Sequence, residues 1–291
     1  MASVVGEVNV RGMAGRMSRL HINDEPPRVI KEMDAEIEQE LAAVFAGVEI
    51  LAFDAEGVDL NRDGRISLVQ LATPEMCYLF DVLDLPPDDP LAIWLRKPLE
   101  DEKVKKIVHD CRMDSDALYH KLGITLTNVH DTSCWMNLSN PGRMSNLNST
   151  LEHYGLAINS VRDSSMYRDN HAFWATRPLT PLMLAWASGD VQSMFKLRQR
   201  QLQGPTASKI SREAESMTIE YLTKDRSSMI ATVHVKNVGR FIGKGGKNLS
   251  ALQRRTNTSI WNRGPRDEGK FIVFYQRDNE LQDVRRAASQ Y

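Results

Sequence analysis

Val48-Glu-Ile-Leu-Ala-Phe-Asp54-Ala-Glu56-Gly57 is an apolar run interrupted by two carboxylates and closed by a glycine. Its aliphatic and aromatic content, ending on a turn former, reads as a β-strand. Side chains two apart on a strand share a face, so Asp54 and Glu56 project together from a face that would otherwise be apolar. Two carboxylates placed there point to a shared divalent cation; the alternative for D-x-E alone is a strand end with solvated acids. Working outward, Asn61-Arg-Asp-Gly64 reads as a turn, Ile66-Ser-Leu-Val-Gln-Leu-Ala72 as a second strand and Met76-Cys-Tyr-Leu-Phe-Asp81 as a third, giving a meander. Upstream, Arg28 to Ala46 reads as an amphipathic helix. Downstream of Pro90, helical stretches alternate with short strands such as Lys106-Ile-Val-His109, and Pro181 to Arg200 reads as a long helix capped by Thr180. This part of the chain is mixed α/β.

The chain has 291 residues, a length that suits one larger and one smaller domain. Its net charge of −1 hides an asymmetry. Residues 1–200 hold 21 Lys/Arg against 29 Asp/Glu, a net of −8, while 201–291 hold 16 against 9, a net of +7. The basic end suits a phosphate backbone and the acidic part suits bound cations, although either pattern also serves as a solvated surface. Cys77, Cys111 and Cys134 lack any C-x-x-C pairing, which argues against a disulfide framework or a structural zinc site. An intracellular location, cytoplasmic or nuclear, is the expectation. No apolar run approaches the roughly 20 residues that span a bilayer, so no membrane partner is expected. The first residues carry Arg11, Arg16 and Arg19 without an apolar segment and read as a disordered tail.

Several ordered motifs between about Val48 and Arg200 resemble the DEDD 3′-5′ exonucleases, in particular the ribonuclease D and Egalitarian-type domains. Phe53-Asp54-Ala-Glu56-Gly57 with Gly64-Arg-Ile-Ser-Leu-Val-Gln-Leu-Ala72 resembles the first exonuclease motif, and Ile107-Val-His-Asp-Cys-Arg-Met-Asp114-Ser-Asp-Ala-Leu118 the second. Val129-His-Asp131-Thr132 and Arg177-Pro-Leu-Thr180 sit where the family has D-T and R-P-L elements, and Trp186-Ala-Ser-Gly-Asp190 falls at the third motif, Y-x-x-x-D. The resemblance implies a ribonuclease H-like mixed-sheet domain in which Asp54, Glu56, Asp114 and Asp190 hold two divalent cations, Mg²⁺ or Mn²⁺, for phosphodiester hydrolysis. The family places its second-motif acid five residues after the histidine, which selects Asp114 and leaves Asp110 and Asp116 as structural. Trp186 departs from the family's tyrosine: an indole N–H only donates, whereas a hydroxyl both donates and accepts and can orient a water. Trp186 therefore takes the catalytic tyrosine's place with its water-positioning role in question.

Asp59-Leu-Asn61-Arg-Asp63-Gly64 also matches the start of a calcium-binding loop, but its twelfth position is Gln70 rather than glutamate and its flanks read as strands. A polar turn is the better reading.

Near the C-terminus, Val238-Gly-Arg-Phe-Ile-Gly243-Lys244-Gly245-Gly246-Lys-Asn-Leu resembles the G-x-x-G signature of a KH domain. Strands at Met229–Val235, 258–261 and 270–275 and a closing helix at 280–288 complete a βααββα order, the type I arrangement and a small α+β fold. Glycines at 243, 245 and 246 admit a phosphate backbone closely, and Arg240, Lys244 and Lys247 add cations, so the loop is expected to clamp single-stranded nucleic acid. Phe241 and Trp261 read as either base-stacking or core.

The organisation that follows is a tail over 1–26, an exonuclease domain over 27–200, a linker over 201–216 and a KH domain over 217–291. The function implied is a metal-dependent 3′-5′ exonuclease acting on single-stranded RNA, with single-stranded DNA as a second candidate. The alternative is an RNA-binding adaptor with a degenerate nuclease fold.

Overall fold

The computed structural model describes residues 26–141, 146–163, 165–166, 170–262 and 269–291, the side chains of 224 and 225 excepted. The tail expected over 1–26 lies outside them save for Pro26. A six-stranded sheet forms the N-terminal domain, in the order β1-β4-β3-β2-β5-β6. Its strands are β1 (Arg28–Ile30), β2 (Ile50–Val58), β3 (Arg65–Ala72), β4 (Cys77–Asp81), β5 (Lys105–Val108) and β6 (Val129–Asp131). The meander β2-β3-β4 is antiparallel, while β1, β5 and β6 join in parallel. The helices are α1 (Ala35–Phe45), α2 (Pro90–Glu100), α3 (Cys111–Leu122), α4 (Thr132–Ser139), α5 (Leu147–His153), α6 (Pro181–Gln203) and α7 (Ala207–Ser227).

Two apolar clusters fill the faces of the sheet. Leu51, Phe53, Val69, Leu71 and Phe80 point to one side; Ala52, Leu68, Ala72 and Leu79 point to the other, under Trp186, Val191 and Met194 of α6. The alternation places Asp54 and Glu56 on the side covered by α6. A Thr180 hydroxyl accepts from the Met183 amide and starts that helix where the sequence indicated.

Two sequence expectations are corrected. Residues 28–46 are not one helix: Val29 and Ile30 extend the sheet edge by pairing with Leu79 and Phe80. Helix α1 begins only after Asp34, whose side chain accepts from the Ile37 amide. The supposed linker 201–216 is mostly helical. Pro205 cannot extend the ladder of α6, so the chain turns at Gly204 and restarts as α7, which packs on α3, α4 and β6 and buries Ala214, Thr218 and Leu222. Helix α7 therefore belongs to the N-terminal domain.

The calcium-like loop is a polar turn. Asn61 is buried, and its side-chain oxygen accepts from the amides of Asp63 and Gly64.

The C-terminal domain follows the order read from sequence: β7 (Met229–His234), α8 (Val238–Ile242), α9 (Lys247–Thr256), β8 (Ser259–Asn262), β9 (Lys270–Tyr275) and α10 (Asp278–Ala288). Its sheet is antiparallel with β9 central, and Phe241, Leu249, Leu252, Phe271 and Val284 form its core.

Candidate active site and nucleic-acid interface

Strand β2 and helix α6 bring three carboxylates together. One oxygen each from Asp54, Glu56 and Asp190 lies within 4.8 Å of the others. A bulge between Glu56 and Gly57 shifts the register of β2 against β3 immediately after the acids. A side chain at Gly57 would put its Cβ 2.1 Å from the Arg65 carbonyl oxygen, so the bulge requires glycine. Asp114, from the first turn of α3, stands beside the trio: its Oδ1 accepts from the Ala55 amide at 2.9 Å, between Asp54 and Glu56.

Burial makes Asp54, Asp114 and Asp190 hard to ionise, and carboxylate repulsion adds to it at Asp54 and Asp114. Burial first, then the charge of Asp190, pushes the Asp54 carboxyl up to about 7, against the opposing field of Arg162. Burial, followed by the charges of Asp54 and Asp110, raises Asp114 well above the ordinary carboxylate range. Burial also raises Asp190, opposed by Arg162, Asn159 and Trp186. A set of oxygen donors this close, costly to charge without a cation, fits a hard divalent metal. Cross-strand from Asp54 lies Gln70, fully buried, whose amide nitrogen and oxygen have no hydrogen-bond partner among the described residues.

Asp190 is held from three sides. Asn159 Nδ2 donates to Oδ1 at 2.9 Å, Trp186 Nε1 donates to Oδ2 at 3.1 Å, and an Arg162 guanidinium nitrogen donates to Oδ2 at 3.0 Å. Trp186 is completely buried between Phe173 and Trp174, so its indole is fixed and its N–H is directed at the carboxylate. Asn159 also donates to the Trp186 carbonyl, an approach that Gly189 permits by having no Cβ. Asn159 and Arg162 were not singled out from sequence. They sit in an irregular stretch without periodicity, and only the fold brings them to the site.

The remaining motif residues hold the frame. Asp131 accepts from the amides of Asp110, Cys111 and Ser133, fixing the start of α3 and so the position of Asp114. Burial alone would raise its pKa, but those donors outweigh it and the carboxyl lies below its ordinary range. Thr132 donates to the Val108 carbonyl, which leaves its oxygen to accept from His109 Nδ1. Arg177 grips Asp81 with two nitrogens and donates to the Ser67 and Trp174 carbonyls ahead of α6. Asp110 pairs with Arg112, and Asp116 with Arg62.

In the C-terminal domain, Gly243, Gly245 and Gly246 all take positive φ, at 74°, 61° and 77°. A Cβ at Gly243 would fall 2.6 Å from the Asn248 side chain, which donates across the loop to the Arg240 carbonyl. Arg240, Lys244 and Lys247 are exposed around this turn. Phe241 is core, edge-on to Phe271.

Residues 31–203 match the family of 3′-5′ exonucleases. The chain belongs to that family. Residues 228–278 match the KH domain. The chain is 31% identical to the mouse piRNA biogenesis protein EXD1 over 162 residues, 51% of this chain and 28% of that protein. It is 30% identical to the Xenopus laevis protein of the same name over 167 residues, 53% of this chain and 37% of that one. The chain thus spans about a third of the length of these relatives. Among solved structures, Trypanosoma brucei RNase D superposes with a TM-score of 0.57 at 26% identity, covering 68% of this chain and 73% of that one. The fold is accordingly ribonuclease H-like, followed by a KH domain.

The exonuclease and KH domains meet through two arginines. Arg62, in the turn after β2, donates to Asp116 and to the Ser228 and Arg226 carbonyls. The Arg112 guanidinium lies 3.6 Å from the ring centre of Trp261 and 4.3 Å from that of Tyr221. Trp261 is thus an interdomain contact. No helix among the described residues is long and apolar enough to cross a membrane.

Proposed function

We propose that the protein is a metal-dependent 3′-5′ exonuclease of single-stranded RNA, with the strand captured by the KH loop. The observation that carries this reading is the convergence of Asp54, Glu56 and Asp190, with Asp114 beside them. Two divalent cations, Mg²⁺ or Mn²⁺, held by these four carboxylates would supply an activated water and charge stabilisation at the leaving oxygen. The chain's own contribution is placement: the bulge at Gly57 aims Glu56, the Ala55 amide fixes Asp114, and Trp186 and Asn159 set the rotamer of Asp190. Arg240, Lys244 and Lys247 contribute phosphate contacts, and Gly243, Gly245 and Gly246 admit the backbone.

The second reading is an RNA-binding adaptor with a catalytically degenerate nuclease fold. It is favoured by Trp186, whose N–H is directed at Asp190 and which offers no lone pair to a water. The two readings separate on a 5′-labelled single-stranded RNA incubated with Mn²⁺ or Mg²⁺, beside a matching DNA, the Asp54→Asn protein and the Trp186→Tyr protein. Stepwise shortening that Asp54→Asn abolishes without loss of RNA affinity supports the exonuclease. RNA binding with no shortening, even in Trp186→Tyr, moves the conclusion to the adaptor.

A further inference from the structure

One of the three donors on Asp190 is a cation. Asn159 and Trp186 are neutral and buried, and they orient the carboxylate. Arg162 brings a full positive charge to the point where Asp54, Glu56 and Asp190 converge, and its field reaches Asp54 as well. The two partners are unequally confined: the Asp190 side chain is fully buried, whereas that of Arg162 is 32% exposed. The arginine side chain therefore reaches solvent, which the carboxylate does not. Buried like charges at this separation demand a counter-charge, and Arg162 provides it from within the chain.

We infer that Arg162 is a resident counter-cation of the acidic site, pairing with Asp190 in the metal-free protein and competing with a divalent ion for Oδ2. This rests on reading the carboxylates as a metal centre. Oδ2 accepts from both Trp186 and Arg162, and a carboxylate oxygen has about two lone-pair positions, so an ion taking Oδ2 must displace one donor. The indole is locked in the core, whereas the arginine side chain is partly exposed, so the arginine is the donor an ion would displace. An ion that takes Oδ2 thus opens this ion pair, and the site fills at a higher free divalent concentration than the same carboxylates would without Arg162.

The test is Mn²⁺ binding by the full-length protein, followed by loss of the free-ion electron paramagnetic resonance signal, for wild type and Arg162→Gln. Thermal melts in EDTA and in Mn²⁺ accompany it. Arg162→Gln is expected to bind Mn²⁺ on the order of tenfold more tightly, because a competing positive charge has gone. It should also melt below wild type in EDTA, with the gap closing in Mn²⁺. Unchanged or weaker Mn²⁺ affinity in Arg162→Gln overturns the inference. Should that variant not fold, Arg162→Lys replaces it: the ammonium lacks the planar fork, so tighter Mn²⁺ binding by a smaller factor is expected and equality with wild type is the refuting result. Uptake unaffected by Arg162 removes only the counter-cation role, whereas no uptake by any of the proteins removes the metal centre with it.

Discussion

Replacing Gly189 by alanine sets two measurable effects against each other. In a helix interior the exchange gains about 1 kcal/mol from propensity alone. Here the new Cβ would lie 2.8 Å from Asn159 Nδ2 and 3.0 Å from its Cγ. Asn159 cannot withdraw easily, because its backbone N–H donates to the Asn148 side chain and its carbonyl accepts from the same side chain. Forcing atoms into a filled site costs about 1–3 kcal/mol. Pulling the Asn159 amide from the Trp186 carbonyl and Asp190 leaves buried polar atoms unpaired, at about 1–3 kcal/mol more. Net destabilisation of about 1–5 kcal/mol is therefore expected once the propensity gain is subtracted. Urea unfolding of wild type, Gly189→Ala, Asn159→Ala and the double variant forms a complete cycle. In the Asn159→Ala background the clash is absent and the alanine at 189 should stabilise. A Gly189→Ala single variant more stable than wild type would refute the reasoning.

Three further expectations come from other parts of the molecule. Placing Asp at both Lys244 and Gly245 sets negative charge against phosphate and strains a position with φ of 61°, so RNA affinity in a filter-binding titration should fall by an order of magnitude or more, and unchanged affinity would remove the loop from the RNA site. His130 is pushed down to about 4, chiefly by burial, so between its ordinary 6.5 and 4 the unfolded chain takes up a proton that the folded chain refuses; the stability present above pH 6.5 is lost as pH falls through that window, and His130→Gln should lose less between pH 7 and 4.5 in denaturant titrations. Arg112→Ala removes the group between Trp261 and Tyr221, and small-angle scattering should show an expanded particle, with an unchanged profile counting against arginine-mediated docking.

What could be read from sequence was what short-range chemistry encodes. The meander is written in alternation and turn residues, the start of α6 in Thr180-Pro181, and the C-terminal βααββα order in the glycine turn and its flanking strands. Asp54 and Glu56 shared a face because strand geometry leaves no other arrangement. Strand β1 was illegible because three residues have no local signature, and their pairing partner is the distant β4. Helix α7 was read as linker because Gly204, Pro205 and small polar residues open it, and its helicity is completed by packing on α3 and α4. Trp186 was legible as a departure from the family, but its hydrogen bond to Asp190 was not. Arg162 and Asn159 reach the site through a loop path that no periodicity describes.

Helix α3 faces both ways, with Asp114 turned toward the carboxylates and Arg112 and Asp116 turned toward the residues that carry the KH domain. The KH domain is therefore not a portable cassette. Truncation after Arg200, where composition suggests a seam, would remove Ala214 and Leu222 from the shared core and leave the apolar flank of α3 and α4 exposed, an invitation to aggregation. Ending the chain after Ser227 keeps that flank covered but leaves Arg112 without its indole partner and Arg62 without the Ser228 carbonyl. Grafting the KH domain onto another protein would likewise bring Trp261 without its arginine. Any shuffling of these modules has to carry α7 with the nuclease and supply a new cover for the surface it leaves behind.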